Sequence, residues 1–158
     1  MRWLTVGLIA IIALVRYPLW LGKGDWLKSM AQASQEARVR DPTRGSVATT
    51  LNEIARQAGV GMLLDEAAIS VNPQVAAACE FLGLDPLYVA NEGKLVAICG
   101  PDDADRLLEV MRAHPLGTRA AVIDEVHEDP HHFVQMKTGF GGRRIVDWLS
   151  GEQLPRIC

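Results

Sequence analysis

The chain has 158 residues, about half of them apolar, which suits one domain with a real core, alone or with an appendage. Its formal net charge of −3 is uneven: residues 1–44 hold seven Lys/Arg against three Asp/Glu, and residues 45–158 hold nine against sixteen. So acidic a body argues against a nucleic-acid partner, and three cysteines without paired spacing (Cys79, Cys99, Cys158) argue against a disulfide framework and for a reducing compartment.

Trp3 to Val15 is unbroken apolar sequence apart from Thr5. Arg16 interrupts it, and Tyr17-Pro18-Leu19-Trp20-Leu21 resumes it. The span over residues 3–21 is long enough for a bilayer helix. Trp3 at one end and Tyr17, Trp20 and Trp26 at the other suit interfacial belts, with Arg16 placed to snorkel. No small-x-small cleavage site follows, so residues 1–26 are expected to form an uncleaved hydrophobic helix, a membrane anchor rather than a signal peptide. A buried N-terminal helix of a soluble fold has the same pattern. Residues 27–40 are polar and read as a linker.

Asp41-Pro42-Thr43-Arg44-Gly45 is a turn, and a helix follows with Val47, Leu51, Ile54, Ala55 and Ala58 on one face and Gly59 as its stop. Gly61–Leu64 is a short strand. Asn72 caps a second helix with Pro73 in its first position, Val75, Cys79 and Leu82 inward, and Gly83 after it. Leu95–Cys99 is a continuous apolar run, as in a central strand buried on both faces. Pro101 opens a third helix, with Asp102 and Asp103 in its positive first turn, Leu107, Leu108 and Met111 inward, and Pro115 beyond its end. Ala120–Ile123, Phe133–Thr138 and Arg143–Val146 read as strands. Helices alternate with strands, so the body over residues 41–150 is α/β (α+β), a mixed sheet packed with helices.

Three polar clusters lie in turns, where functional groups concentrate. Asp41, Thr43 and Arg44 offer a carboxylate, a hydroxyl and a guanidinium beside a helix N-terminus, which suits phosphate or Mg²⁺. An ordinary capping turn reads the same. Asn91-Glu92-Gly93-Lys94 places an acid–base candidate and a cation ahead of the buried strand, and a plain turn reads the same. His127-Glu128-Asp129-Pro130-His131-His132 lacks a further anchoring ligand and is expected to be a solvated loop, with no metal site assigned. Gly139-Phe140-Gly141-Gly142 lacks the Gly-Lys-Ser/Thr ending of a P-loop and reads as a turn between strands. Residues 151–158 form a tail whose last residue is Cys158, a thiol on a movable arm that spans at most ~29 Å. A frayed terminus with an idle thiol is the plain alternative.

In order, these motifs resemble the C-terminal half of the hydrogenase maturation protein HypE. They are Asp41-Pro42-Thr43-Arg44-Gly45, Leu51-Asn52-Glu53-Ile54-Ala55, Leu84 to Val96, His114-Pro115-Leu116-Gly117, Phe140-Gly141-Gly142, Arg144-Ile145-Val146-Asp147 and the ending Pro155-Arg156-Ile157-Cys158. The resemblance covers residues 38–158 and belongs to the wider aminoimidazole-ribonucleotide-synthetase-like superfamily. It implies a carbamoyl dehydratase, a lyase. A HypF-like carbamoyltransferase loads a carbamoyl group onto the terminal thiol. ATP then activates the carbamoyl oxygen, and loss of phosphate with deprotonation leaves a thiocyanate. The cyano group passes to iron on a HypC–HypD scaffold for nickel–iron hydrogenase.

By that resemblance Cys158 is the carrier and Glu92 the acid–base residue. Asp41, Thr43, Arg44, Asn91 and Lys94 line the site for ATP and Mg²⁺. A homodimer and a cytoplasmic setting are also implied. A full member carries an N-terminal ATP-binding domain before this half, so this chain is not expected to dehydrate alone. Ser46 stands where the family has a second glycine, and Asp124 where Gly-Glu-Val is usual. Residues 2–26 resemble instead the membrane anchor of the division protein FtsB, without the heptads of its coiled coil. The alternative function is a membrane-anchored, non-catalytic scaffold.

Overall fold

The computed structural model describes residues 8–13, 38–40, 46–89 and 94–148, the first two stretches by backbone path alone. Its strands are β1 (Leu8–Ala13), β2 (Arg38–Arg40), β3 (Gly61–Asp65), β4 (Leu95–Cys99), β5 (Ala121–His127), β6 (Val134–Lys137) and β7 (Arg143–Ile145). Helices α1 (Val47–Ala58), α2 (Pro73–Leu82) and α3 (Pro101–Ala113) connect them, with a 3₁₀ turn at Glu66–Ala68. The strands form one mixed sheet in the order β2-β4-β1-β5-β3-β6-β7. Every pair is antiparallel except β3 with β6. The expected α/β architecture is present.

Strand β4 shows why a continuous apolar run marks a central strand. Val96 and Ile98 face a core under α1, together with Leu51, Ala55, Met62, Leu64, Val126 and Met136. Ala97 and Cys99 face the opposite core, under Leu107 and Met111 of α3. Period-two alternation therefore buries both sides. The thiols of Cys79 and Cys99 are free and buried.

The N-terminal expectation is corrected. Residues 8–13 are not helical: they form β1, third in the sheet, hydrogen-bonded to β4 on one side and β5 on the other. An apolar run meets the demands of an inner strand as well as those of a bilayer helix, and only pairing partners decide between them. A six-residue strand there breaks the continuous helix that spanning would need. Among the described residues no helix is long and apolar enough to cross a membrane. Residues 1–7 and 14–26 lie outside the described residues. β2 pairs with β4 inside the stretch read as linker, so the sheet begins before the turn at 41–45.

Helix α1 is as expected, with local signals that agree. Ser46 caps it by accepting from the Thr49 N–H at 3.1 Å, and Gly59 ends it at φ 71°. Ala58, expected inward, is exposed. Helix α2 has its expected caps but not its expected face. Only Cys79 is buried, while Val75, Leu82 and Phe81 are 43%, 61% and 89% exposed. The helix is apolar almost all round, so its periodicity carried little direction. Helix α3 buries Leu107 and Met111 as expected, and Leu108 is partly buried. β5 runs on to His127, past Asp124 and Glu125, whose polarity hid its second half.

Candidate functional site

A cavity of about 90 Å³ opens on the α1 side of the sheet. Five pieces of chain wall it: the head of α1 at Val47, the turn after β3 from Glu66 to Val71, the loop Asp85–Leu87, Lys94 ahead of β4, and Met136 with Arg144 on β6 and β7. Each is held in place by a definite contact. The Ala48 N–H donates to the Leu87 carbonyl at 3.1 Å, tying α1 to the loop. Asp85 Oδ1 accepts from the Leu87 N–H at 2.9 Å. Its other oxygen takes a hydrogen bond from Arg144 Nη2, closing an ion pair between the loop and β7. Glu66 Oε2 accepts from the Gly139 N–H at 2.7 Å, clamping the β6–β7 turn.

Lys94 is the chemically distinctive wall. It is half-buried, and among the described residues it has no ion-pair partner, whereas Arg144 is engaged by Asp85. Burial lowers its ammonium to about 8, with the Cys79 thiol pulling the other way. Tyr88, beside the Asp85–Arg144 pair, is shifted up, chiefly by burial and against the lowering pull of Arg144.

Of the residues expected to act, only Lys94 falls within the described part. Asp41, Thr43, Arg44, Asn91, Glu92 and Cys158 lie outside the described residues. Val47, two residues after the first turn cluster, and Lys94, the last residue of the second, nevertheless both line this cavity. Glu66, Asp85 and Arg144 were not singled out as site residues. Asp85 and Arg144 do sit inside the quoted motifs Leu-Asp-Pro-Leu-Tyr and Arg-Ile-Val-Asp, and that was the available signal.

The histidine-rich segment is an Asp-centred turn. Asp129 accepts from the N–H groups of His131 at 2.9 Å and Phe133 at 3.1 Å. Those hydrogen bonds hold its carboxyl below the usual range. Among the described residues no group of three or more His, Cys, Asp or Glu could hold a metal ion. Gly139–Gly142 is the expected turn between strands, with Gly141 at φ 87°.

One buried carboxyl stands apart. Asp124 is 5% exposed, and among the described residues neither oxygen has a hydrogen-bond partner. Its register opposite Leu64 puts it on the α1 side of the sheet. Burial pushes it up to about 7; the amides of Leu63 and Glu125 oppose this without bonding to it.

Residues 27–137 match the C-terminal domain of AIR synthase related proteins. The chain belongs to that family. The chain is 75% identical over 120 residues to carbamoyl dehydratase HypE of Cupriavidus necator, covering 76% of this chain and 34% of the relative. It is 67% identical over 131 residues to carbamoyl dehydratase HypE of Azotobacter vinelandii, covering 82% and 38%. The chain thus spans little more than a third of the length of the curated relatives it matches. Among solved structures, E. coli HypE aligns with a TM-score of 0.79 at 34% identity, covering 99% of this chain and 54% of that one. HypE in complex with ATP aligns at 0.76 and 35% identity, covering 96% and 52%. The HypE–HypF complex aligns at 0.77 and 32%, covering 89% and 52%. Apart from Arg144, every residue lining the cavity lies within the matched residues 27–137.

Proposed function

We propose that this chain is the C-terminal part of a carbamoyl-cysteine dehydratase that serves nickel–iron hydrogenase maturation. In this reading Cys158 carries the carbamoyl group and the cavity beside Lys94 receives it. The observation that supports it is Lys94, a partly dehydrated cation without an ion-pair partner among the described residues, lining a small cavity in a chain 75% identical over 120 residues to a carbamoyl dehydratase. The overall chemistry converts a cysteine thiocarbamate S–C(=O)NH₂ and ATP to S–C≡N, ADP and phosphate. The carbonyl oxygen leaves with the phosphate, and the nitrogen gives up both protons.

The residues present fit part of this chemistry. A carbamoyl group or a single phosphate is small enough for the cavity. A nucleotide is not, because ligand sites of that size run to roughly 300 Å³ and more. Nor does any acidic grouping among the described residues fit Mg²⁺. In this reading the nucleotide and its metal sit mainly on the part of the relatives that this chain does not span, with Asp41, Thr43, Arg44 and Asn91 of this chain meeting them at the shared edge. Within this chain Lys94 offers its ammonium to the oxygen that becomes negative, and Glu92, two residues upstream, takes the N–H proton. Asp85 and Arg144 position the loop that faces Lys94. The HypE–HypF complex supports a HypF-like carbamoyltransferase as the donor. A HypC–HypD scaffold is the acceptor, in the cytoplasm, with a HypE-type homodimer built through the missing part.

Mass spectrometry of Cys158 tests the reading. After mixing with a HypF-type carbamoyltransferase, carbamoyl phosphate and ATP, the terminal peptide is expected to carry a carbamoyl group and to stay unconverted. Addition of the N-terminal ATP-binding part of a relative is expected to convert it to thiocyanate. No adduct, under conditions that load a full-length HypE, would instead favour a non-catalytic scaffold.

A further inference from the structure

Strand β1 joins two halves of the sheet that are otherwise separate. β2 and β4 lie on one side of it; β5, β3, β6 and β7 lie on the other; β4 and β5 do not pair with each other. β1 is antiparallel to both neighbours, from Ile9↔Cys99 to Ala13↔Leu95 and from Leu8↔Val126 to Ile12↔Ala121. Yet the family match begins only at residue 27, after β1. The likeness to E. coli HypE meanwhile covers 99% of the chain. The sheet position therefore belongs to the shared fold, while the residues filling it lie outside the matched segment. Without a strand there, β4 and β5 would each present an unpaired edge inside the domain, where unpaired backbone groups are costly. Leu-Ile-Ala-Ile-Ile-Ala has no polar side chain to bury and a strongly β-compatible composition.

The candidate cavity straddles this joint. Lys94 comes from the β4 side, and Glu66, Met136 and Arg144 come from the β3–β6–β7 side. We propose that the gap between β4 and β5 is a strand-acceptor site for an extended apolar hexapeptide, filled here by the chain's own Leu8–Ala13, and that its filling carries Lys94 to the cavity it shares with Glu66 and Arg144. This is strand addition of the kind used in peptide recognition, placed inside a sheet rather than at its edge. Backbone hydrogen bonds on two sides hold the segment. A charged residue within it would have to be buried or would break the pairing.

Register makes the proposal testable with the full chain. Ile9 lies directly opposite Cys99, and opposed antiparallel residues have Cα separations of ~4.5–5.5 Å, within disulfide range. Under copper–phenanthroline oxidation Ile9→Cys is expected to give an intramolecular disulfide to Cys99. Ala10→Cys, opposite Ile98, should give on the order of tenfold less. A link between two chains would show that a second copy fills the gap, and no link would show that β1 is not there; either overturns own-strand filling. The coupling is read on Ile11→Pro, which removes a ladder donor from an inner strand. Amide exchange in β4 and β5 is expected to rise together, on the order of tenfold or more. Lys94, followed by NMR of ¹³C-dimethylated lysines, should return towards the ordinary lysine range. Ile11→Gly serves if the proline variant does not fold. Lys94 unchanged in a chain whose β1 has been released would overturn the coupling. The disulfide result does not depend on the carbamoyl reading, so the two can fail separately.

Discussion

At the scale of single residues, Asp124 and Lys94 both pay for burial of charge, in opposite pH windows. Burial pushes Asp124 up to about 7 in the folded chain, against 3.8 for a free aspartate. Below 3.8 it is neutral folded or unfolded. As pH rises to 7 the unfolded chain ionises first, so stability falls across that window and levels off above it. The stability gap between Asp124→Ala and the parent, from urea unfolding, should therefore widen in favour of the variant by roughly 4 kcal/mol between pH 4 and pH 8. A gap that does not vary with pH would show that the carboxyl has found a partner. Lys94 sits at about 8 against 10.5, so its ammonium strains the fold below 8 and that strain eases as pH rises towards 10.5. In dehydration assays with the ATP-binding part added, the rate should fall through pH 8 as the ammonium is lost. Lys94→Arg should carry activity to higher pH, and Lys94→Met should lose on the order of a hundredfold while leaving carbamoylation of Cys158 intact. A rate that rises through pH 8 would make Lys94 a base instead.

At the scale of elements, α1 is tied to the last strand by one buried amide. Asn52 Nδ2 donates to the Ala48 carbonyl at 2.9 Å and to the Val146 carbonyl at 2.8 Å. Asn52→Ala leaves Val146 without that donor and should cost about 2 kcal/mol in chemical denaturation. After α3 the chain doubles back so closely that a Cβ on Gly117 would lie 1.9 Å from the Met111 carbonyl oxygen. Gly117→Ala should cost about 3 kcal/mol and lower Tm accordingly. These two residues show what the sequence could and could not say. Caps and periodicity located α1, α3, β3, β4, β6 and β7, because their signals are local. Gly117 and Asn52 were visible only as parts of motifs, since what they touch lies on another element: Met111 of α3 for Gly117, and Val146 after β7 for Asn52. The helix and caps of α2 were legible but its buried face was not, and β1 was not read as a strand: uniformly apolar sequence gives neither a direction nor helix against strand. The site was half legible. Of the residues expected to act, Lys94 alone can be placed, at the cavity, and the Asp85–Arg144 pair depends on a loop and a strand 59 residues apart.

At the scale of the whole molecule, the body shows surface that a complete, solitary domain rarely leaves open. Phe81, Leu82 and Val75 on α2 are exposed, in a chain that spans little more than a third of its relatives. Sedimentation of the isolated chain should show concentration-dependent association, and Phe81→Ser with Leu82→Ser should weaken it; association unaffected by both would place the contact elsewhere. The position of β1 also has a consequence in time. The earliest of the described strands is the third in the sheet, and its partners end at Cys99 and His127. At ribosomal speeds of ~5–20 residues per second, the segment waits roughly ten seconds between emerging and finding both neighbours. Over that interval it is an unpaired apolar segment. Loop closure across most of the chain makes the last step slow. The same residues that complete the sheet are therefore, during synthesis, the ones most open to capture by a chaperone or a lipid surface. Which of these destinations wins is decided by the rate at which β4 and β5 arrive.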